Sequence, residues 1–196
     1  MTVPHSALPS RPYPPPWRHV LAALTLLPRG LCALAAAGAG RGAAACRLLL
    51  RADPGPAPGT PHGPVPGAAP RTPPPGTGRT VAHAVLTVLL GALAWILAGV
   101  LLLAVARGPF YGFVDHGPYD DSWGGPGRGG AWLAHAVAAT PCAVAAAGLL
   151  YGVAALHRRL TAPLRGGRRA RWVLPVVLLC GAAGALFVIA WVRQLD

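Results

Sequence analysis

The chain contains no lysine, glutamate or asparagine: its 17 basic side chains are all arginine and its five acids are all aspartate. Without lysine there is no GxxxxGK phosphate loop, and without glutamate there is no HExxH zinc motif and no pair of glutamates for acid–base work. No nucleophile elbow takes their place, so no cofactor and no enzymatic activity are expected. Charge of either sign is scarce, at 11% of residues against 54% apolar, which is unlike a water-soluble domain and points to lipid as the solvent. The choice of arginine over lysine and aspartate over glutamate reads as GC-rich codon usage. The net charge of +12 does not imply nucleic acid, because the arginines flank apolar runs instead of forming one basic face with interleaved aromatics.

Cysteine is sparse as well. Cys32, Cys46, Cys142 and Cys180 form no CxxC pair and have no ligand-like spacing to histidine, which argues against a disulfide framework or a zinc site. Buried free thiols acting as small hydrophobes are expected. The amino-terminal stretch MTVPHSALPSRPYPPPWRHV makes a poor signal peptide, because its leading region is long and proline-rich and Arg29 breaks the apolar run behind it.

Four segments follow from composition. Residues 1–18 hold six prolines and read as an extended arm. Residues 19–51 form a membrane-associated helical segment interrupted at Pro28-Arg29-Gly30, where a central arginine costs about 2.5–3.5 kcal/mol to insert and proline lacks its helical donor. Within that segment, 41–51 is an alanine-rich helix suited to an anionic inner surface. The stretch 53–79 carries ten prolines and six glycines, so residues 52–79 are expected to be a disordered tether on the cytoplasmic side. Residues 80–196 should form a three-span domain, with spans near 80–106, 131–156 and 172–192, each long enough for a ~30 Å hydrocarbon core. Pro141 is expected to bend the second of these. The fold class is therefore all-α: a multi-pass transmembrane bundle with three spans and one interrupted amino-terminal segment.

Arginine placement orients it. Residues 157–171 carry six arginines and no acid, whereas 107–130 carry two arginines and three aspartates, so the former should be cytoplasmic and the latter outside the cell membrane. A single crossing is expected of residues 20–39, since twenty residues suffice for one span and are too few for two; the alternative, favoured by Arg11 and Arg18, is a re-entrant hairpin over residues 20–50 that keeps the amino terminus inside.

The outer loop, GPFYGFVDHGPYDDSWGGPGRGGAWLAHA at 108–136, is where polar chemistry concentrates. Asp115, His116, Tyr119, Asp120, Asp121, Trp123 and His135 are the candidate ligand-sensing residues, with Tyr111 nearby. Carboxylates and aromatic faces in that density could hold a divalent cation or a cationic ligand, or they could simply solubilise and anchor the loop. His83 and His135 sit near the ends of their spans, at opposite faces of the membrane by this topology. Gly148 and Gly152 form a GxxxG element expected to mark a helix-packing seam, joined by Gly91, Gly99, Gly181 and Ala185.

The run from Tyr119 through Ser122-Trp123-Gly124-Gly125-Pro126 to Gly130-Ala131-Trp132 and His135 resembles the outer loop of a sensor transmembrane domain family of actinobacterial proteins. LHRRLTAPLRG at 156–166 resembles that family's basic exit from the next span. The likeness covers about half the chain, residues 80–166. It implies a sensor-like membrane protein in signal transduction, of the kind often joined to a histidine kinase module. This sequence departs from the pattern in its reduced amino-terminal hairpin, its lack of an ATP-binding module and its further span at 172–192. The expected partners are the lipid bilayer and a membrane or cytoplasmic signalling protein such as a histidine kinase, with no nucleic acid and with homo-oligomerisation left open. The alternatives are a structural or assembly subunit of a membrane complex, or a small transporter.

Overall fold

The computed structural model describes residues 15, 17–51, 76–165, 167, 168 and 170–194. The expected arm and tether fall largely outside these residues. In chain order the helices are α1 (Trp17–Leu24), α2 (Leu26–Gly38), α3 (Gly42–Leu50), α4 (Thr77–Arg107), the single turn α5 (Tyr111–Val114), α6 (Arg128–Thr161) and α7 (Val173–Val192), with a 3₁₀ turn at Ala162–Arg165. No strand occurs among the described residues, and the all-α bundle expected from composition is present.

Four segments are long and apolar enough to cross a membrane: Trp17–Gly38, Thr77–Arg107, Arg128–Arg165 and Val173–Val192. Their outward surfaces match that solvent, with Leu102 72% and Leu179 70% exposed, values untenable for many large side chains in water. The chain is a helical membrane protein.

In hydrocarbon, apolar side chains gain little by leaving the solvent, so packing relies on close backbone approach at small residues. Ala23, Leu26, Leu90, Ala94, Leu150, Val153 and Val177 make one core between α1, the start of α2, α4, α6 and α7. Ala33, Ala37, Ala45, Leu49 and Ala84 make a second between α2, α3 and α4. Gly30 lies so near Val88, and Gly91 so near Leu27, that an added Cβ at either would collide with the opposing backbone. The GxxxG pair behaves differently: Gly148 and Gly152 are exposed, and a Cβ on either would meet nothing within 4 Å. Among the described residues no close seam forms there; Gly152 instead borders an open slot shared with Leu93 and Leu97 of α4.

The amino-terminal segment also departs from expectation. Helix α2 continues through Pro28-Arg29-Gly30, and the break falls earlier, at Thr25. Pro28 sits in the first turn of α2, where a missing backbone donor is tolerated best. The carbonyl it cannot serve, that of Leu24, accepts instead from the Trp95 indole N–H at 3.1 Å. At the bend, the Thr25 hydroxyl donates to the Ala22 carbonyl at 2.8 Å. Gly30 and Leu27 face Val88 and Gly91 in descending order, so α2 runs antiparallel to α4 from its middle toward its start. His19 of α1 stacks edge-on to Tyr151 (centroids 4.7 Å apart) and lies 3.4 Å from the Arg158 guanidinium, in the second half of α6. Both arms of the bent segment therefore lean on the arginine-rich half of the bundle.

Other boundaries shift outward. α4 begins at Thr77, with Arg79 and Thr80 donating to the Gly76 carbonyl, and α6 runs on to Thr161. The cysteines are free as expected but not buried: Cys32 and Cys142 are exposed, and Cys46 and Cys180 half-buried.

Candidate functional site

The loop between α4 and α6 is built on glycine and one tryptophan. Gly108 ends α4 against Ala139 of α6, too close for any side chain. The next turn, α5, is clamped by Trp132, whose indole N–H donates to the Pro109 carbonyl at 2.8 Å and whose ring lies against Gly112 and edge-on to Phe113 at 5.3 Å. Arg128 at the start of α6 donates to the Gly112 carbonyl. Further along, Gly124 adopts φ +98° and abuts the Gly130 carbonyl, a conformation and a distance that only glycine tolerates.

Within this frame Tyr111 is 8% exposed and stacks on His135 with centroids 3.8 Å apart and planes 6° from parallel. The Nδ1 of His135 lies 2.8 Å from the Ala131 carbonyl, which can only accept, so Nδ1 carries the proton and Nε2 is the nitrogen available to a ligand. Because a backbone carbonyl takes Nδ1, neither Asp120 nor Asp121 can orient the imidazole there in the manner of nucleophilic hydrolases.

A cavity of about 650 Å³ opens beside this stack, lined among others by Arg107, Tyr111, Asp120, Asp121, Trp123 and His135. Four of the seven residues singled out from the sequence thus meet around one space. The other three build the loop that frames it. Asp115 accepts from the Gly117 N–H at 3.1 Å, the Tyr119 hydroxyl donates to the Asp115 carbonyl at 2.8 Å, and His116 is exposed. The Gly117 N–H, then the Tyr111 hydroxyl, and then the charges of Arg107 and His116 hold the Asp115 carboxyl below the usual carboxylate range.

Arg107 was missed from sequence because it reads as a helix-end cation, and only the return of α6 brings it to the cavity. The arrangement offers carboxylates and an indole face to an ammonium group and a guanidinium to an anion. Among the described residues no three His, Cys, Asp or Glu side chains converge as a metal site, so the divalent-cation option finds no geometry here.

A second polar cluster lies inside the bundle. The extension of α6 buries His157, 1% exposed, where a loop was expected; its Nε2 has no hydrogen-bond partner among the described residues. Arg29, Arg158 and His83 are its charged or ionisable neighbours. The signal for it was present in sequence, since Val153, Leu156, His157 and Leu160 keep helical spacing on one buried face past the expected end of the span.

The comparisons with known proteins add no family: no family model, no curated protein and no solved structure matches this chain.

Proposed function

We propose that this is a non-catalytic, sensor-like protein of the cell membrane, with the 108–130 loop outside and the arginines of 157–171 in the cytoplasm. The orientation rests on the distribution of arginine between the two connecting segments. The observation that carries the sensing role is the cavity beside the Tyr111–His135 stack, where opposed charges and an exposed indole converge at one end of the bundle. A small ligand bearing an ammonium group fits the Asp120, Asp121 and Trp123 side of it. The resemblance to actinobacterial sensor domains agrees with this role, and a signal would leave through a partner such as a histidine kinase at the cytoplasmic face.

The test uses the full chain in nanodiscs titrated with tetramethylammonium. Saturable binding that is lost in the Asp120→Asn, Asp121→Asn double variant and weakened in Trp123→Ala supports the reading. Binding that is absent, or indifferent to all three side chains, overturns it. The second reading, an assembly subunit, is favoured by the exposed apolar group Phe110, Phe113 and Val114 beside the cavity. It predicts that Phe113→Ser abolishes co-purification with neighbours while the double aspartate variant has no effect.

A further inference from the structure

α7 packs along α4, with Gly184 against Leu93 and Ile96 and Gly181 near Leu89, and it touches α6 less closely. Between them lies a slot of about 440 Å³ with an almost wholly apolar lining that includes Leu93, Leu97, Leu149, Leu156 and Val176. From Leu149 to Arg159 the slot follows α6 over ten helical steps, about 15 Å at 1.5 Å per residue, which is the depth of one leaflet of a ~30 Å core.

At the arginine-rich end the slot stops at Arg159 and Trp172, whose guanidinium and ring centroid are 5.3 Å apart. Arg159 also borders an adjoining cavity of about 300 Å³ together with Arg79 and His83. The three described aspartates all lie in the loop at the opposite end, so neither arginine has a carboxylate partner among the described residues. An apolar slot of leaflet depth thus ends at Arg159, which it shares with the cavity that Arg79 borders, beside a tryptophan of the kind that sits at headgroup level.

We propose that this slot holds one acyl chain of an anionic phospholipid whose phosphate is bound by Arg159 and Arg79. Guanidinium groups pair with phosphate oxygens through two parallel donors, and the local excess of positive charge favours a headgroup with net negative charge over a zwitterionic one. The site requires only that the chain be embedded in a membrane; it is independent of any ligand at the outer loop.

The full chain is reconstituted in nanodiscs containing phosphatidylglycerol and phosphatidylcholine in equal amounts, released into detergent, and its retained lipids are counted by native mass spectrometry. One retained phosphatidylglycerol in preference to phosphatidylcholine is expected, with the preference falling about fivefold in Arg159→Gln and persisting in Arg159→Lys. Gly152→Leu projects into the slot from a position with free space around it, so it should fold and lose the retained lipid. Excess glycerol phosphate should leave the lipid in place. Equal retention of the two lipids, wild-type retention in both Arg159→Gln and Gly152→Leu, or displacement by glycerol phosphate would each overturn the proposal. A chain that retains the lipid but fails to bind tetramethylammonium separates this site from the sensing role.

Discussion

Trp95→Phe is expected to destabilise the protein more while Pro28 is present than after Pro28→Ala. Pro28 leaves the Leu24 carbonyl without its helical donor, and the Trp95 indole supplies one at 3.1 Å from across the bundle. Trp95 itself is 56% exposed, facing what is hydrocarbon in a membrane, so no water competes for that carbonyl. Hydrogen bonds inside membrane proteins average about 0.6 kcal/mol and reach about 1.7, while an orphaned acceptor in an apolar setting costs about 1–3 kcal/mol. A loss of about 1–2 kcal/mol is therefore expected in the wild-type background. In Pro28→Ala the restored N–H of residue 28 can bond to the Leu24 carbonyl, and the indole donor becomes redundant. The packing lost on going from indole to phenyl is common to both backgrounds and cancels in the double-mutant cycle. Unfolding of the four detergent-solubilised proteins, followed by circular dichroism against heat or added dodecyl sulfate, gives the coupling. A coupling below about 0.3 kcal/mol, inside the scatter of independent sites, would refute the claim that Trp95 caps the proline gap.

Glycine positions should separate sharply. Gly91→Leu drives a side chain into the Leu27 backbone and is expected to cost at least about 1–3 kcal/mol and most of the accumulated protein, whereas Gly148→Leu enters open space and should change stability by no more than about 0.5 kcal/mol. The two are compared by thermal melting and by membrane yield. Asp115 has a folded-state value below its unfolded one, so its ordering of the loop is fully present above about pH 4 and disappears as pH falls through the lower folded value. Fluorotyrosine NMR at Tyr119 should show an acid transition that is missing in Asp115→Asn. His157→Leu replaces a buried nitrogen without a partner by a side chain of similar volume, and melting should be unchanged or raised by up to about 1–3 kcal/mol. A marked loss would show that Nε2 binds something. Because both arms of the 17–38 segment lean on the arginine-rich half, a cysteine at position 15 in a cysteine-free background should react with the impermeant reagent from the same side as one at 163 and the opposite side from one at 120. Labelling of 15 and 120 from one side would instead establish a full crossing.

The sequence alone determined the solvent and the broad architecture. Thr80 to Ala106 carries no charge, and no arrangement in water hides so long a run, so its reading as a membrane helix depends on no other part of the chain. The loop at 108–130 was legible for the same reason, as the place where turn residues and acids interrupt two such runs. Which of its side chains meet was not legible. Asp120 and Asp121 share a cavity with Arg107 and His135 only because α6 returns beside the end of α4, and Asp115 leaves that set because its carboxylate is taken by the Gly117 N–H. The proline at 28 reads as a helix break in one dimension, yet the donor that lets the helix continue comes from Trp95, 71 residues from the Leu24 carbonyl it serves. The GxxxG pair at Gly148 and Gly152 makes no close approach among the described residues, since small residues permit it without compelling it. Hydropathy is a property of each segment by itself, whereas packing, capping and the assembly of a site belong to pairs of segments, and only the tertiary structure pairs them.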